Sequence, residues 1–189
     1  MEGDIRKVLV ILGSPRKKGN SAALALRAAE GARAGGAQIE IVDLARLDIR
    51  PCTACDMCTK GTGEFCNIRD DMQAIYPKLV GADALLLASP VYWFTYSGQL
   101  KVFIDRWYGA WNTQPKFLKG KPVGIILAYG DEDVDKSGVF NAIHTFESMF
   151  SFLGAPIAGI VHGSLSDPGD AEKDVRLMQA AYELGKKLA

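Results

Sequence analysis

Apolar runs and amphipathic stretches alternate along the whole chain. The apolar runs predict five strands, at residues 7–12, 38–44, 84–88, 123–128 and 156–161. Helical patterns follow each of them, at residues 21–34, 70–79, 98–108, 137–153 and 171–188. The run at 84–88 is apolar without alternation, which is typical of a strand covered on both faces. The pattern therefore predicts a sheet between two layers of helices.

Strands that are separated by helices pair in parallel through right-handed crossovers. Five of each in 189 residues predict an α/β fold, a doubly wound, flavodoxin-like sheet of five parallel strands in the order 2-1-3-4-5 with helices on both faces. No repeat or linker divides the sequence, so one domain over residues 1–189 is expected. Ligands of such sheets lie beyond the carboxyl ends of the strands, beside the first and third.

The loop after the first predicted strand has the composition of a phosphate site. It reads Gly13-Ser14-Pro15-Arg16-Lys17-Lys18-Gly19-Asn20-Ser21, which matches neither the Rossmann nor the Walker pattern. Free N–H groups at the start of the following helix attract anions. Hydroxyl, amide and guanidinium groups suit a terminal phosphomonoester, and the candidate contacts are Ser14, Arg16, Asn20 and Ser21. An ordinary βα turn with a serine N-cap is the alternative.

The loop after the third predicted strand places four aromatic residues within five positions. It reads Ser89-Pro90-Val91-Tyr92-Trp93-Phe94-Thr95-Tyr96-Ser97-Gly98. Aromatic faces and loop N–H groups suit a planar ring system, although such side chains also pack as core. A phosphate loop beside an aromatic loop indicates a mononucleotide with a large flat ring, and hence FMN.

Composition excludes several other classes of function. Lys plus Arg and Asp plus Glu are equal at 22 each, so the net charge is zero and nothing indicates nucleic acid or an anionic membrane as a partner. No apolar run reaches the roughly 18 residues of a membrane span, and the N-terminus does not resemble a signal peptide. A cytoplasmic location is expected.

The four cysteines of the chain are confined to residues 51–66, where they form a C-x2-C-x2-C-x7-C run. Three cysteines spaced by two residues can wrap one face of an iron–sulfur cluster, and Gly61 and Gly63 would allow the fourth to return. Zinc sites instead pair two C-x-x-C knuckles from distant segments. A cluster, zinc, and free or disulfide-linked thiols are the alternatives for Cys52, Cys55, Cys58 and Cys66.

The two loops, together with Ser97-Gly98-Gln99-Leu100-Lys101 and the residues that follow, resemble the NADPH-dependent FMN reductase family, and the cysteine run is similar to that of its iron–sulfur flavoproteins. The resemblance implies FMN phosphate at Ser14, Arg16, Asn20 and Ser21. It implies an isoalloxazine ring against Pro90, Val91, Tyr92, Trp93 and Phe94, with Ser97, Tyr129 and Gly130 as further contacts. It also implies a [4Fe–4S] cluster on Cys52, Cys55, Cys58 and Cys66.

The same resemblance implies an oxidoreductase in which the flavin carries the chemistry and no side chain is catalytic. Electrons would come from NAD(P)H or a ferredoxin-like carrier and pass to a small-molecule acceptor. The chain would form a homodimer or homotetramer, with Trp107, Tyr108 and Trp111 as interface candidates. The alternatives are a cluster-free NAD(P)H-dependent FMN or quinone-type reductase, a non-enzymatic flavodoxin-like electron carrier, and a phosphate-binding protein without a redox role.

Overall fold

A computed structural model describes residues 5–16, 18–61 and 64–189. Its main sheet contains five parallel strands in the order β2-β1-β3-β5-β6. These strands are β1 (Lys7–Leu12), β2 (Gln38–Asp43), β3 (Ala84–Tyr92), β5 (Val123–Tyr129) and β6 (Ile157–Ser164). A sixth strand, β4 (Thr95–Tyr96), pairs antiparallel with the end of β3. The parallel order confirms the 2-1-3-4-5 prediction of five parallel strands. The short sixth strand was not predicted; it arises because β3 runs past residue 88 and folds back as a hairpin.

Helices cover both faces of this sheet. They are α1 (Asn20–Ala34), α2 (Met72–Gly81), α3 (Gly98–Asp105), α4 (Trp107–Thr113), α5 (Val139–Leu153), α6 (Asp170–Lys173) and α7 (Val175–Lys186). Alternate residues of each strand enter different cores. In β1, Leu9 and Ile11 join the core beneath α2 to α5, while Val8 and Val10 join the core beneath α1 and α7. This double burial explains why the strands are apolar without alternation.

Two helices that the sequence predicts as continuous are each divided in the structure. The chain turns at Arg106, between α3 and α4, and the side chain of this residue is drawn into the interior. The last helical stretch is divided at Asp174, whose carboxylate accepts hydrogen bonds from Arg176 N and Leu177 N, each at 3.0 Å, and so caps α7. Among the described residues, no helix is both long enough and apolar enough to cross a bilayer.

Candidate active site

The loops after β1 and β3 are joined by hydrogen bonds at the carboxyl edge of the sheet. Gly13 N donates to Ala88 O at 2.8 Å, and the Ser97 hydroxyl donates to Gly13 O at 2.6 Å. The Ser97 oxygen also accepts from Leu100 N at 3.3 Å, which caps α3. Ser97 is fully buried. Its hydrogen bonds therefore hold the loop after β1 and the start of α3 together.

A cavity of about 200 Å³ lies above these bonds, at the point where the strand order reverses. The predicted cofactor residues on its wall are Ser14, Arg16, Asn20, Ser21, Pro90, Val91, Tyr92, Tyr129 and Gly130. The predicted residues that do not line it are Trp93, Phe94 and Ser97. The structure thus brings the two loops to one site, as the fold prediction required.

One wall of the cavity is the start of α1, which follows Gly19. The N–H groups of the first turn of a helix have no intrahelical partners, and in the described part of the chain no side chain caps them here. Ser14 and Ser21 are buried beside them, and the Ser14 Oγ accepts a hydrogen bond from Arg16 N at 3.2 Å. Lys17, also expected in this loop, lies outside the described residues. N–H groups and hydroxyls therefore converge on the space in which an anion would lie.

The Asn20 side chain is engaged within the protein. Its amide nitrogen donates to Leu165 O at 3.1 Å and to Asp167 O at 2.8 Å, and its oxygen accepts from Ala171 N at 3.2 Å. The group that Asn20 can offer to a ligand is consequently its backbone N–H. The same bonds hold the segment after β6 against the cavity.

That segment supplies wall residues that the sequence argument missed, namely Leu165, Ser166 and Pro168. Ligands of such sheets are expected beside the first and third strands. Because β6 is an edge strand, the segment after it was not predicted to line the cavity. The available signal was weaker: the segment follows the carboxyl end of a predicted strand.

The aromatic loop forms a tight hairpin between β3 and β4. Its two turn residues are left-handed, with φ of 46° at Trp93 and 67° at Phe94, as a two-residue hairpin turn with both central φ values positive requires. Non-glycine residues adopt this conformation at a cost of about 1–2 kcal/mol each. Trp93 is 93% exposed and Phe94 54% exposed. These rings therefore lie at the hairpin tip beside the cavity, while Tyr92 lines it.

The hairpin tip rests on Gly138, the residue that precedes α5. A Cβ atom at Gly138 would lie 2.3 Å from the Phe94 Cα, and its φ of 77° is left-handed. We expect Gly138→Ala to lower the free energy of unfolding by about 1–3 kcal/mol through overpacking, beyond the backbone cost. Chemical denaturation would measure this loss.

Gly120→Ala is the matched control for this substitution. Gly120 has nearly the same φ, 75°, but nothing lies within 4 Å of a Cβ atom built there. Both variants carry the backbone cost, so the difference between them isolates the contact with the hairpin. Equal losses in the two variants would contradict the contact.

Three of the four cysteines lie on the loop after β2, which has an unusual backbone. Ala54 and Asp56 are left-handed, with φ of 50° and 53°. Alternation between right- and left-handed residues forms concavities of N–H groups that bind anions, including iron–sulfur clusters. A 3₁₀ turn, Met57–Thr59, closes the loop. The cysteine loop is therefore a curved backbone segment rather than an extended linker.

The fourth cysteine, Cys66, is held in place from the opposite side. The Gln73 amide donates to Cys66 O at 2.9 Å, and the Phe65 ring stacks on Tyr76 with centroids 4.8 Å apart. A Cβ atom at Gly109 would lie 2.1 Å from Phe65 O, so this glycine permits α4 to approach the segment closely. The packing fixes Cys66 despite its distance in sequence from the other three. Gly63, expected to aid this return, lies outside the described residues.

All four thiols are free and line one small cavity of about 20 Å³ against α4. The Met57 N–H and then the Thr53 side chain lower the pKa of the Cys55 thiol. Burial, and after it the charges of the other three cysteines, raises the pKa of Cys58. Within the described residues, no three His, Cys, Asp or Glu side chains are already arranged to hold a metal ion. The donor set fits a cluster chemically, but the sulfurs would have to rearrange around it.

A buried ion pair lies behind the cysteine cavity. The Arg106 guanidinium contacts both carboxylate oxygens of Asp70, at 2.5 and 3.2 Å, and its Nη1 also donates to Arg50 O at 2.8 Å. Both side chains are fully buried. Although burial opposes ionisation of the carboxyl, the Arg106 hydrogen bond holds the pKa of Asp70 below its usual value. Arg106 lies where α3 and α4 meet, and it lines the cysteine cavity.

The aromatic residues predicted for a subunit interface separate into two environments. Trp107 is buried and packs edge-on against Phe103, so it belongs to the core. Tyr108 is half-exposed, and Trp111 contacts the exposed Phe152 with ring centroids 5.1 Å apart. The homodimer or homotetramer stays a prediction.

A flavodoxin-like sheet with a polar-walled cavity at its switch point is an architecture of flavin-dependent oxidoreductases, and this protein is one of them. The chain belongs to the NADPH-dependent FMN reductase family, whose model matches residues 6–172. FMN and NAD(P)H are the cofactor and the donor of that family.

Similar proteins carry names that agree with this family. A Bacillus subtilis protein to which NAD(P)H-dependent, FMN-containing oxidoreductase activity is attributed is 32% identical, over 96% of this chain and 97% of its own length. An iron–sulfur flavoprotein of Methanocaldococcus jannaschii is also 32% identical, over 97% and 95%. The NAD(P)H:quinone oxidoreductase from Methanothermobacter marburgensis superposes with a TM-score of 0.75 over 97% of this chain and 96% of its own, at 18% identity, and this likeness concerns the fold.

Proposed function

We propose that the cavity above β1 and β3 binds FMN, with the phosphate at the start of α1. The observation that carries this proposal is the meeting of the two predicted loops in that one cavity. Ser14, Arg16, Ser21 and the backbone N–H of Asn20 would contact the phosphate, since they supply donors and one cation to an anion.

The isoalloxazine ring would lie against the wall formed by Pro90, Val91 and Tyr92. Tyr129 and Gly130 would close the opposite side, because they lie at the carboxyl end of the neighbouring strand β5. Trp93 and Phe94 would border the ring from the hairpin tip, and Ser97 would act through the loops that it joins. Bound FMN supplies the redox chemistry, which accepts electrons in pairs from NAD(P)H and releases them in pairs or singly. The chain's own part is to bind, orient and shield the ring.

We further propose that Cys52, Cys55, Cys58 and Cys66 hold a [4Fe–4S] cluster, which makes the protein an iron–sulfur flavoprotein. Three observations support this: the four free thiols share one cavity, two residues of the loop are left-handed as in backbone segments that bind anions, and a relative with nearly full coverage bears that name. The exposed positions of Cys52 and Cys55 leave this loop room to rearrange around a cluster. Electrons would then reach the acceptor one at a time.

A cluster-free NAD(P)H-dependent FMN or quinone-type reductase is the second candidate. It is favoured by the lack, among the residues that the structure describes, of three side chains already arranged for a metal ion. The two candidates share the FMN site and the nicotinamide donor. They differ in iron content and in the number of electrons that pass to the acceptor in one step.

Anaerobic purification followed by an absorption spectrum and by FMN, iron and sulfide analysis tests both proposals. We expect one FMN per chain and iron and sulfide in equal amounts near four per chain, as a [4Fe–4S] centre requires. A Cys66→Ser control is expected to lose iron and keep flavin. Flavin without iron would contradict the cluster, and a colourless protein would contradict the flavin site.

Stopped-flow mixing with NADPH and NADH then separates an enzyme from an electron carrier. Fast bleaching of the oxidised flavin band is expected with at least one nicotinamide. Absence of bleaching with both, in flavin-loaded protein, would favour a ferredoxin-like donor and a carrier role.

A further inference from the structure

The guanidinium of Arg106 contains a donor that no acceptor in residues 5–16, 18–61 and 64–189 uses. Its Nη groups are bound by Asp70 and by Arg50 O, whereas its Nε–H is buried and has no partner among the described residues. Arginine stays charged in proteins, so this N–H is a permanent donor. A buried donor without an acceptor costs about 1–3 kcal/mol or more. A buried donor of this kind is expected to have a hydrogen-bond acceptor, which a bound ligand can supply.

The position of Arg106 indicates what that ligand is. Arg106 forms part of the wall of the cavity that is lined by all four cysteines. The bidentate contact with Asp70 fixes the plane of the guanidinium and hence the direction of the Nε–H bond. Cys66, the cysteine of the return segment, lines the same cavity. The free donor therefore belongs to a buried residue that shares one cavity wall with four sulfur donors.

We propose that the Arg106 Nε–H donates a hydrogen bond to a sulfur of the [4Fe–4S] cluster, at the Cys66 side, and thereby raises its reduction potential. The inference rests on the proposed cluster. A cluster bound by four thiolates is anionic and gains one further negative charge on reduction, so a buried cationic donor stabilises the reduced form more than the oxidised form. Hydrogen bonds to cluster sulfurs are among the factors that set such potentials. Arg106 is thus a positioning residue that also tunes the cluster.

Arg106→Lys tests the proposal, because lysine keeps the charge beside Asp70 but has no Nε–H at that position. Arg69→Lys is the matched control: Arg69 lies three residues after Cys66 but is exposed and pairs with Glu64. In a redox titration followed by electron paramagnetic resonance, we expect Arg106→Lys to lower the ratio of reduced to oxidised cluster about tenfold at a fixed potential. That corresponds to about 59 mV for a one-electron couple. Arg69→Lys should match the wild type.

A second measurement needs no substitution. Protein labelled with nitrogen-15 at arginine Nε should show nitrogen hyperfine coupling to the reduced cluster in pulsed paramagnetic resonance. No coupling in iron-loaded wild type, or an unchanged potential in iron-loaded Arg106→Lys, would overturn this inference and leave the proposed cluster standing. Iron-free wild type would overturn both.

Discussion

Ser14→Asp is expected to weaken FMN binding by more than about 100-fold. Ser14 is buried on the wall that we assign to the phosphate, so a carboxylate there would lie against a phosphate dianion. Like charges brought together in a binding site cost several kcal/mol, and about 3 kcal/mol corresponds to this factor. Titration of the deflavinated protein with FMN, followed by fluorescence quenching, measures the change.

Riboflavin and Ser14→Ala make this experiment specific. Riboflavin lacks the phosphate, so its affinity should change little in Ser14→Asp. Ser14→Ala removes one neutral hydrogen-bonding group and should weaken FMN binding by about tenfold or less. Equal losses for FMN and riboflavin would mean that the phosphate lies elsewhere.

Asp70→Asn is expected to lower the free energy of unfolding by about 3–5 kcal/mol. The substitution leaves the Arg106 charge buried without its counter-ion, and removal of one partner of a buried pair has a cost of this size. Chemical denaturation measures the loss. Asp133→Asn serves as the control, because Asp133 pairs with Lys136 on the surface, and its midpoint should not move. Similar midpoints for both variants would refute the role of the buried pair.

The same pair predicts a pH dependence. Because the pKa of Asp70 is lower in the folded than in the unfolded state, its ionisation stabilises the fold above the unfolded value of about 3.9. That stabilisation is lost as the pH falls from there through the folded pKa. Asp70→Asn lacks this contribution, so the difference between the free energies of unfolding of wild type and variant should become smaller as the pH is lowered.

The parallel sheet was predictable from the sequence because strands buried on both faces consist of continuous apolar runs. Runs such as 84–88 are apolar at every position, and the helices between them fix the crossovers. The end of β3 escaped prediction, since a turn with two left-handed aromatic residues has none of the usual Asn-Gly signals. The hairpin tip also depends on the space that Gly138 leaves for Phe94, a contact 44 residues away in the chain.

The cavity was predicted through its two loops but not through its third wall. Loop composition identified Ser14 and Tyr92, because donors and rings are visible in sequence. The Asn20 amide was assigned to a ligand, whereas in the fold it binds Leu165 O and Asp167 O. A sequence shows which side chains can form hydrogen bonds, but the packing of the fold determines the partner of each. The Arg106–Asp70 pair was missed for the same reason, since charged residues are rarely buried.

The bonds from Asn20 to the segment after β6 have a consequence for how the cofactor is acquired. They connect residues about 150 positions apart, so the cavity is complete only when the last strand has docked. A nascent chain that still lacks this strand on the ribosome would present the phosphate loop without its opposite wall. At the proposed site, FMN would therefore bind only after the last strand has docked.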